Sequence, residues 1–122
     1  MDPYDLQAKL FKALMHPARL AILDILRTGE ACVCHMEAAL GYRQAYISQQ
    51  LMVLRDAGLV DDRRDGWNIY YRVAKPDIFN VIDSARASLG KGAKTRVPVI
   101  IKSCTCPHCT HELVRESRLI QT

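Results

Sequence analysis

The stretch Cys34-His35-Met36-Glu37-Ala38-Ala39-Leu40-Gly41-Tyr42-Arg43-Gln44-Ala45-Tyr46-Ile47-Ser48-Gln49-Gln50-Leu51-Met52-Val53-Leu54 decides the fold. Its first part reads as a short helix from about Cys34 to Leu40 that stops at Gly41, since glycine readily takes the backbone conformation that ends a helix. A second helix starts near Gln44, and two helices joined by a tight glycine-containing turn form a helix-turn-helix. On this second helix, taken from Arg43 to Ala57, Ile47, Leu51 and Leu54 recur at i, i+4 and i+7 and form an apolar stripe that must pack inward. The opposite face offers Arg43, Gln44, Tyr46, Ser48, Gln49 and Gln50, which can donate to and accept from base edges and phosphate oxygens. That helix is expected to lie in the major groove of double-stranded DNA.

Upstream, Leu6, Leu10 and Leu14 with Phe11 predict an amphipathic helix over Pro3 to Met15. Pro17 suits the first turn of a further helix, where a missing N–H costs nothing. Leu20, Ile22, Leu23, Ile25 and Leu26 make that helix apolar over a wide arc, and Gly29 ends it. Downstream of Gly58 the period becomes strand-like. Leu59 to Arg63 and Asn68 to Val73 flank Arg64, Asp65, Gly66 and Trp67, and Asp-Gly is a strong hairpin signal. A hairpin directly behind a helix-turn-helix is the wing of a winged helix, and Arg63 and Arg64 at its tip are placed to reach phosphate or the minor groove. Pro76 and Asp77 open a fifth helix through about Leu89, with Ile78, Val81, Ile82 and Ala85 as its stripe. The expected fold class is therefore mainly α with a small β-hairpin wing.

A chain of 122 residues with 49% hydrophobic content supports one modest core. The Gly/Lys/Ala-rich segment from Gly90 to Thr95 predicts that compact order stops there, giving a domain over residues 1–90 and a cysteine-rich tail over 91–122. No run reaches membrane-spanning length and the N-terminus does not resemble a signal peptide, so a cytoplasmic protein is expected, with no membrane partner. In a reducing compartment the five cysteines read as free thiols or metal ligands rather than a disulfide framework. Net charge is +4, and from Arg86 to His111 there are five basic residues and no acidic one, a distribution that suits a polyanion.

Four stretches together strongly resemble the ArsR/SmtB family of metal-sensing repressors: His16-Pro17-Ala18-Arg19-Leu20, Cys32-Val33-Cys34, Gln44-Ala45-Tyr46-Ile47-Ser48-Gln49-Gln50-Leu51 and Leu54-Arg55-Asp56-Ala57-Gly58-Leu59-Val60. The resemblance covers roughly Leu6 to Ile82. It implies a homodimer joined through the first and fifth helices, with a winged helix in each subunit and repression relieved when an effector binds. It also implies DNA contacts from Gln44, Tyr46, Ser48, Gln49 and Gln50 and from Arg63, Arg64 and Arg72 on the wing. Gln50 stands where the family often shows His, so base preference does not transfer. A dimer is physically apt, because two half-sites about one helical turn apart supply selectivity that one small reading helix lacks.

Cys32 and Cys34 match the Cys-Val-Cys that supplies thiolates in the family's arsenic, cadmium and lead sensors. Residues two apart on a regular helix point to nearly opposite sides, so the pair can chelate only where the backbone is non-helical or distorted. In the arsenic sensors a third cysteine often follows three residues later; here that place is Glu37. The tail offers further sulfur in Cys104-Thr105-Cys106-Pro107-His108-Cys109-Thr110-His111. Soft thiolates select thiophilic ions such as As(III), Cd(II), Pb(II) or Zn(II), bound by Cys32, Cys34, Cys104, Cys106 and Cys109 in one site or two. The family's other site, on the fifth helix, is expected to be absent, because that helix offers Asp77 and Asp83 but no histidine.

The function expected is a metal- or metalloid-responsive repressor that leaves its operator when the ion binds. A cysteine-based redox or persulfide sensor is the alternative within gene regulation. Cys106-Pro107-His108-Cys109 also resembles the active pair of thiol-disulfide oxidoreductases. No βαβ unit precedes it, so an enzyme is not expected, nor a small organic substrate.

Overall fold

The computed structural model describes residues 2–90. Cys104, Cys106 and Cys109 lie outside the described residues, as does the expected tail. The first helix, α1 (Pro3–Leu14), opens where the Asp2 carboxylate accepts from the Asp5 N–H at 2.9 Å, with Pro3 at the position that needs no donor. The second, α2 (Pro17–Ile25), begins in the same way, with the His16 ring Nδ1 accepting from the Ala18 N–H at 3.1 Å. A 3-10 turn over Leu26–Thr28 continues it to Gly29.

Next comes a strand absent from the expectations, β1 (Ala31–Cys32), which runs directly into α3 (Val33–Leu40). Gly41 then takes a φ of 75° and its N–H bonds Glu37 O at 2.9 Å, closing α3 in the left-handed geometry expected of it. The second helix of the helix-turn-helix, α4, spans Gln44–Asp56. The wing is β2 (Val60–Asp65) against β3 (Asn68–Val73), and α5 covers Ile78–Ser88.

The hairpin turn is tighter than the four residues expected. Asp65 pairs with Asn68, leaving only Gly66 and Trp67 to turn the chain. Gly66 has a φ of 62° while among the described residues no residue other than glycine has a positive φ, the pattern of a type II′ turn. The sheet has three antiparallel strands in the order β1-β3-β2, with Ala31 opposite Tyr71 and Cys32 opposite Tyr70. The fold is thus a winged helix-turn-helix whose wing continues through β3 to the strand that carries the first cysteine.

The core collects the apolar stripes of every helix. Ile22, Leu23, Met36, Ile47 and Leu54 are fully buried, with Leu51, Leu59 and Val60 nearly so. Each such side chain contributes roughly 1.5–3 kcal/mol by leaving water. A cluster of charges fastens α5 to α2: Asp24 meets Arg27 at 2.9 Å and Arg86 at 3.0 Å, and Arg27 reaches on to Asp83. The hydrogen bond from Arg27 holds the Asp83 carboxyl below its ordinary range. Asp83, one of the two acids considered for a fifth-helix metal site, is therefore engaged in ion pairs with Arg27 and Arg86.

Candidate nucleic-acid interface and the cysteine pair beside it

The outer face of α4 follows from its inner one. Ile47, Leu51 and Leu54 turn inward, so Gln44 and Gln49 are left exposed, with Arg43 exposed at the N-cap. Arg43 makes no side-chain cap, so the first-turn amides of α4 are open to an anion such as a phosphate oxygen. Tyr46 and Ser48 are half-buried. The Tyr46 hydroxyl meets His16 Nε2 at 3.2 Å, and its ring lies 5.1 Å from that of Tyr42.

Gln50 corrects the expectation. Its side chain is 9% exposed and its Oε1 accepts from Arg19 Nε at 2.9 Å. The same Arg19 donates from NH1 to the carbonyls of Lys12 and Ala13, both at 3.1 Å. Gln50 thus faces the protein rather than the exposed side of α4. The wheel carries the signal: Gln50 stands three residues after Ile47 and four before Leu54, within the arc of the apolar stripe. Tyr46 and Gln50, one turn apart on α4, are both held by the first turn of α2, through His16 and Arg19.

On the wing, Arg63 is committed elsewhere. It makes a two-point ion pair with Glu30 and its guanidinium lies 4.9 Å from the centre of the Tyr70 ring. The hydrogen bond to Glu30 raises its pKa further. Arg64 and Arg72, the other two wing arginines, are exposed. Nothing in the local sequence announces the Arg63 to Glu30 pair, which joins residues 33 apart.

Cys32 and Cys34 are brought together. Cys32 is extended, with φ −88° and ψ 166°, and forms the N-cap of α3, while Cys34 sits in that helix's first turn. This break in the helix is the non-helical backbone that the sequence requires for two such sulfurs to meet. The two sulfurs are brought together as a disulfide pair, with a Cα–Cα distance of 5.4 Å, where the sequence reads them as free thiols or metal ligands. The Cys32 sulfur also accepts from the His35 N–H at 3.3 Å. Cys32 is 3% exposed and packs with Tyr70, also 3% exposed. In reduced form the two sulfurs are a soft bidentate donor set suited to a thiophilic ion. Among the described residues no group of three or more metal-ligating side chains exists, so further donors must come from beyond residue 90 or from another chain.

Comparison with known proteins agrees with this geometry. A family model described as "Bacterial regulatory protein, arsR family" matches residues 16–62, from the cap of α2 into β2. An uncharacterized HTH-type transcriptional regulator of Mycobacterium tuberculosis is 41% identical over 98 residues, covering 80% of this chain and 86% of the relative. A biofilm growth-associated repressor of Agrobacterium fabrum is 46% identical over 80 residues, covering 66% of this chain and 68% of the repressor. Among solved structures, a homodimeric winged helix-turn-helix DNA-binding domain from Mycobacterium bovis superposes with a TM-score of 0.64 at 35% identity, covering 70% of this chain and 80% of that one.

Proposed function

This chain belongs to the ArsR family of DNA-binding transcriptional regulators, and from that premise we propose that it is a homodimeric repressor released from its operator by chemistry at Cys32 and Cys34. The observation that carries this reading is the placement of the pair: one sulfur belongs to a strand of the wing sheet and the other to the first turn of α3. In the reduced protein a thiophilic ion, As(III), Cd(II), Pb(II) or Zn(II), is held by both sulfurs and by one or more of Cys104, Cys106 and Cys109. Such an ion supplies strong, soft bonds to sulfur that fix the relative position of its donors.

The chain's own residues carry the consequence to DNA. Cys32 Sγ caps α3, α3 packs on α4, and the exposed face of α4 with Gln44 and Gln49 reads the major groove. On the other side Cys32 faces Tyr70, which lies under Arg63 of the wing. Any change that moves Cys32 is felt by both DNA-facing elements. Dimerisation through α1 and α5 is supported by apolar side chains left in water on α1 and at the C-cap of α5: Leu6 is 55% exposed, Phe11 50% and Leu89 75%. By linkage, an ion that prefers the DNA-free form weakens DNA binding as much as DNA weakens ion binding, and a typical coupling of about 1–3 kcal/mol changes affinity roughly 5- to 150-fold.

A second reading is favoured by the sulfur contact itself. Two cysteines close enough to bond can act as a dithiol that oxidises to a disulfide, with no ion involved. One titration separates the two. A duplex selected from a random-sequence pool is bound under reducing conditions and challenged with each ion, then with oxidant in the presence of a chelator. Release by an ion at stoichiometric levels, lost in Cys32→Ser and in a variant with Cys104, Cys106 and Cys109 all changed to Ser, is the result expected. Release by oxidant alone establishes the redox reading instead.

A further inference from the structure

The wing tip presents a side chain that the repressor reading does not use. Trp67 is the chain's sole tryptophan and is fully exposed, at 101%. Its position explains why. In a two-residue turn the second central residue has no partner strand to pack on, and here Trp67 follows Gly66 directly at the apex. Tryptophan is seldom left wholly in water, because its indole removes more apolar area from solvent on burial than other side chains do.

The charges of the wing add a constraint. From residue 60 to 73 it carries Asp61, Asp62 and Asp65 against Arg63, Arg64 and Arg72, three of each sign. Arg63 is spent on Glu30 and also lies 4.0 Å from Asp65, and Asp62 meets Arg55 at 3.3 Å. A wing of zero formal charge is not drawn to DNA by net electrostatics. What its tip does offer is an apolar, planar side chain beside Arg64, which stands one residue pair from the turn, opposite Ile69. That combination suits the minor groove, where arginine follows the narrow groove's potential and apolar side chains wedge against base steps.

We propose that Trp67 is a DNA-contact residue that enters the minor groove flanking each half-site, next to Arg64. The proposal rests on the repressor reading, and its test keeps the two apart. A labelled duplex selected from a random-sequence pool is titrated with the reduced full-length protein while anisotropy reports binding and the emission of Trp67, the sole tryptophan, reports the wing. Emission should change in step with anisotropy, and the indole should become shielded from acrylamide. Netropsin, a minor-groove ligand, should restore the free emission. Trp67→Ala should bind about 5- to 150-fold more weakly, the range of one aromatic contact to a base, while Trp67→Phe recovers most of the loss. Equal thermal midpoints for the variants and the parent exclude a folding defect.

Anisotropy that rises while emission and acrylamide access stay those of the free protein overturns the inference and leaves the repressor reading intact. The inference also falls if Trp67→Ala binds the duplex as the parent does, which would leave the tip facing another protein. A shift that netropsin does not reverse removes the indole from the minor groove and overturns the assignment. No rise in anisotropy with any duplex sinks the repressor reading and the inference together.

Discussion

At the scale of single residues, neighbouring glutamines of α4 have opposite fates. Gln49 is exposed, so Gln49→Ala should weaken specific DNA binding by about 1–3 kcal/mol with no change in stability, as read by anisotropy and urea unfolding. Arg19→Ala should do the reverse first: it takes the partner from the buried Gln50 amide and a hydrogen bond from the Ala13 carbonyl, and stability should fall by roughly 1–3 kcal/mol. An unchanged urea midpoint would refute the clamp. Asp83 supplies a pH test. Its carboxyl is held below the ordinary value by Arg27, so its contribution is complete above about pH 3.9, the unfolded value, and is lost as pH falls through the lower folded one. The stability gap between the parent and Asp83→Asn should therefore be present at neutral pH and close in strong acid; a gap independent of pH would show that the ion pair contributes nothing. The stripe of α4 was legible from Ile47, Leu51 and Leu54. The inward turn of Gln50 was obscured because a polar residue on the stripe's edge acquires meaning only from Arg19, 31 residues away.

At the scale of elements, the junctions matter more than the helices. Gly41 closes α3 at a φ of 75° with nothing within 4 Å of where a Cβ would stand. Gly41→Ala therefore meets only the intrinsic cost of left-handed backbone, about 1–2 kcal/mol, and Gly41→Asn should cost less. Thermal unfolding of the two variants checks this, and equal losses would mean that space rather than backbone conformation sets the requirement. The helix-turn-helix and wing were readable because each has a repeating apolar pattern or a turn residue with one use. β1 was not. Two residues, both buried, show no alternation, and their strand character comes from pairing with β3, some 39 positions along the chain. The length of the hairpin turn is hidden for a related reason: Asp65 suits a turn and a strand end alike, and the register of the pair with Asn68 decides between them.

At the scale of the whole molecule, a subunit with Leu6, Phe11 and Leu89 in water is built to be covered. Phe11→Glu should leave the fold of residues 2–90 intact while shifting sedimentation toward monomer and weakening operator binding, because two half-sites then lose their tether. A variant that stays dimeric would move the interface elsewhere. The motifs make the winged helix-turn-helix legible in the sequence, while the cysteine chemistry is readable only as a set of donors, since spacing names ligands without saying which bodies they join. The join is the telling feature: Cys32 is anchored in the sheet and Cys34 in a helix. Mechanically the pair is a strut across a joint. In the proposed switch, whatever alters the span between the two sulfurs displaces the start of α3 relative to the strand that joins the wing sheet. A joint used in that way would gauge span rather than charge, and ions of equal valence but unequal radius would be different signals to it.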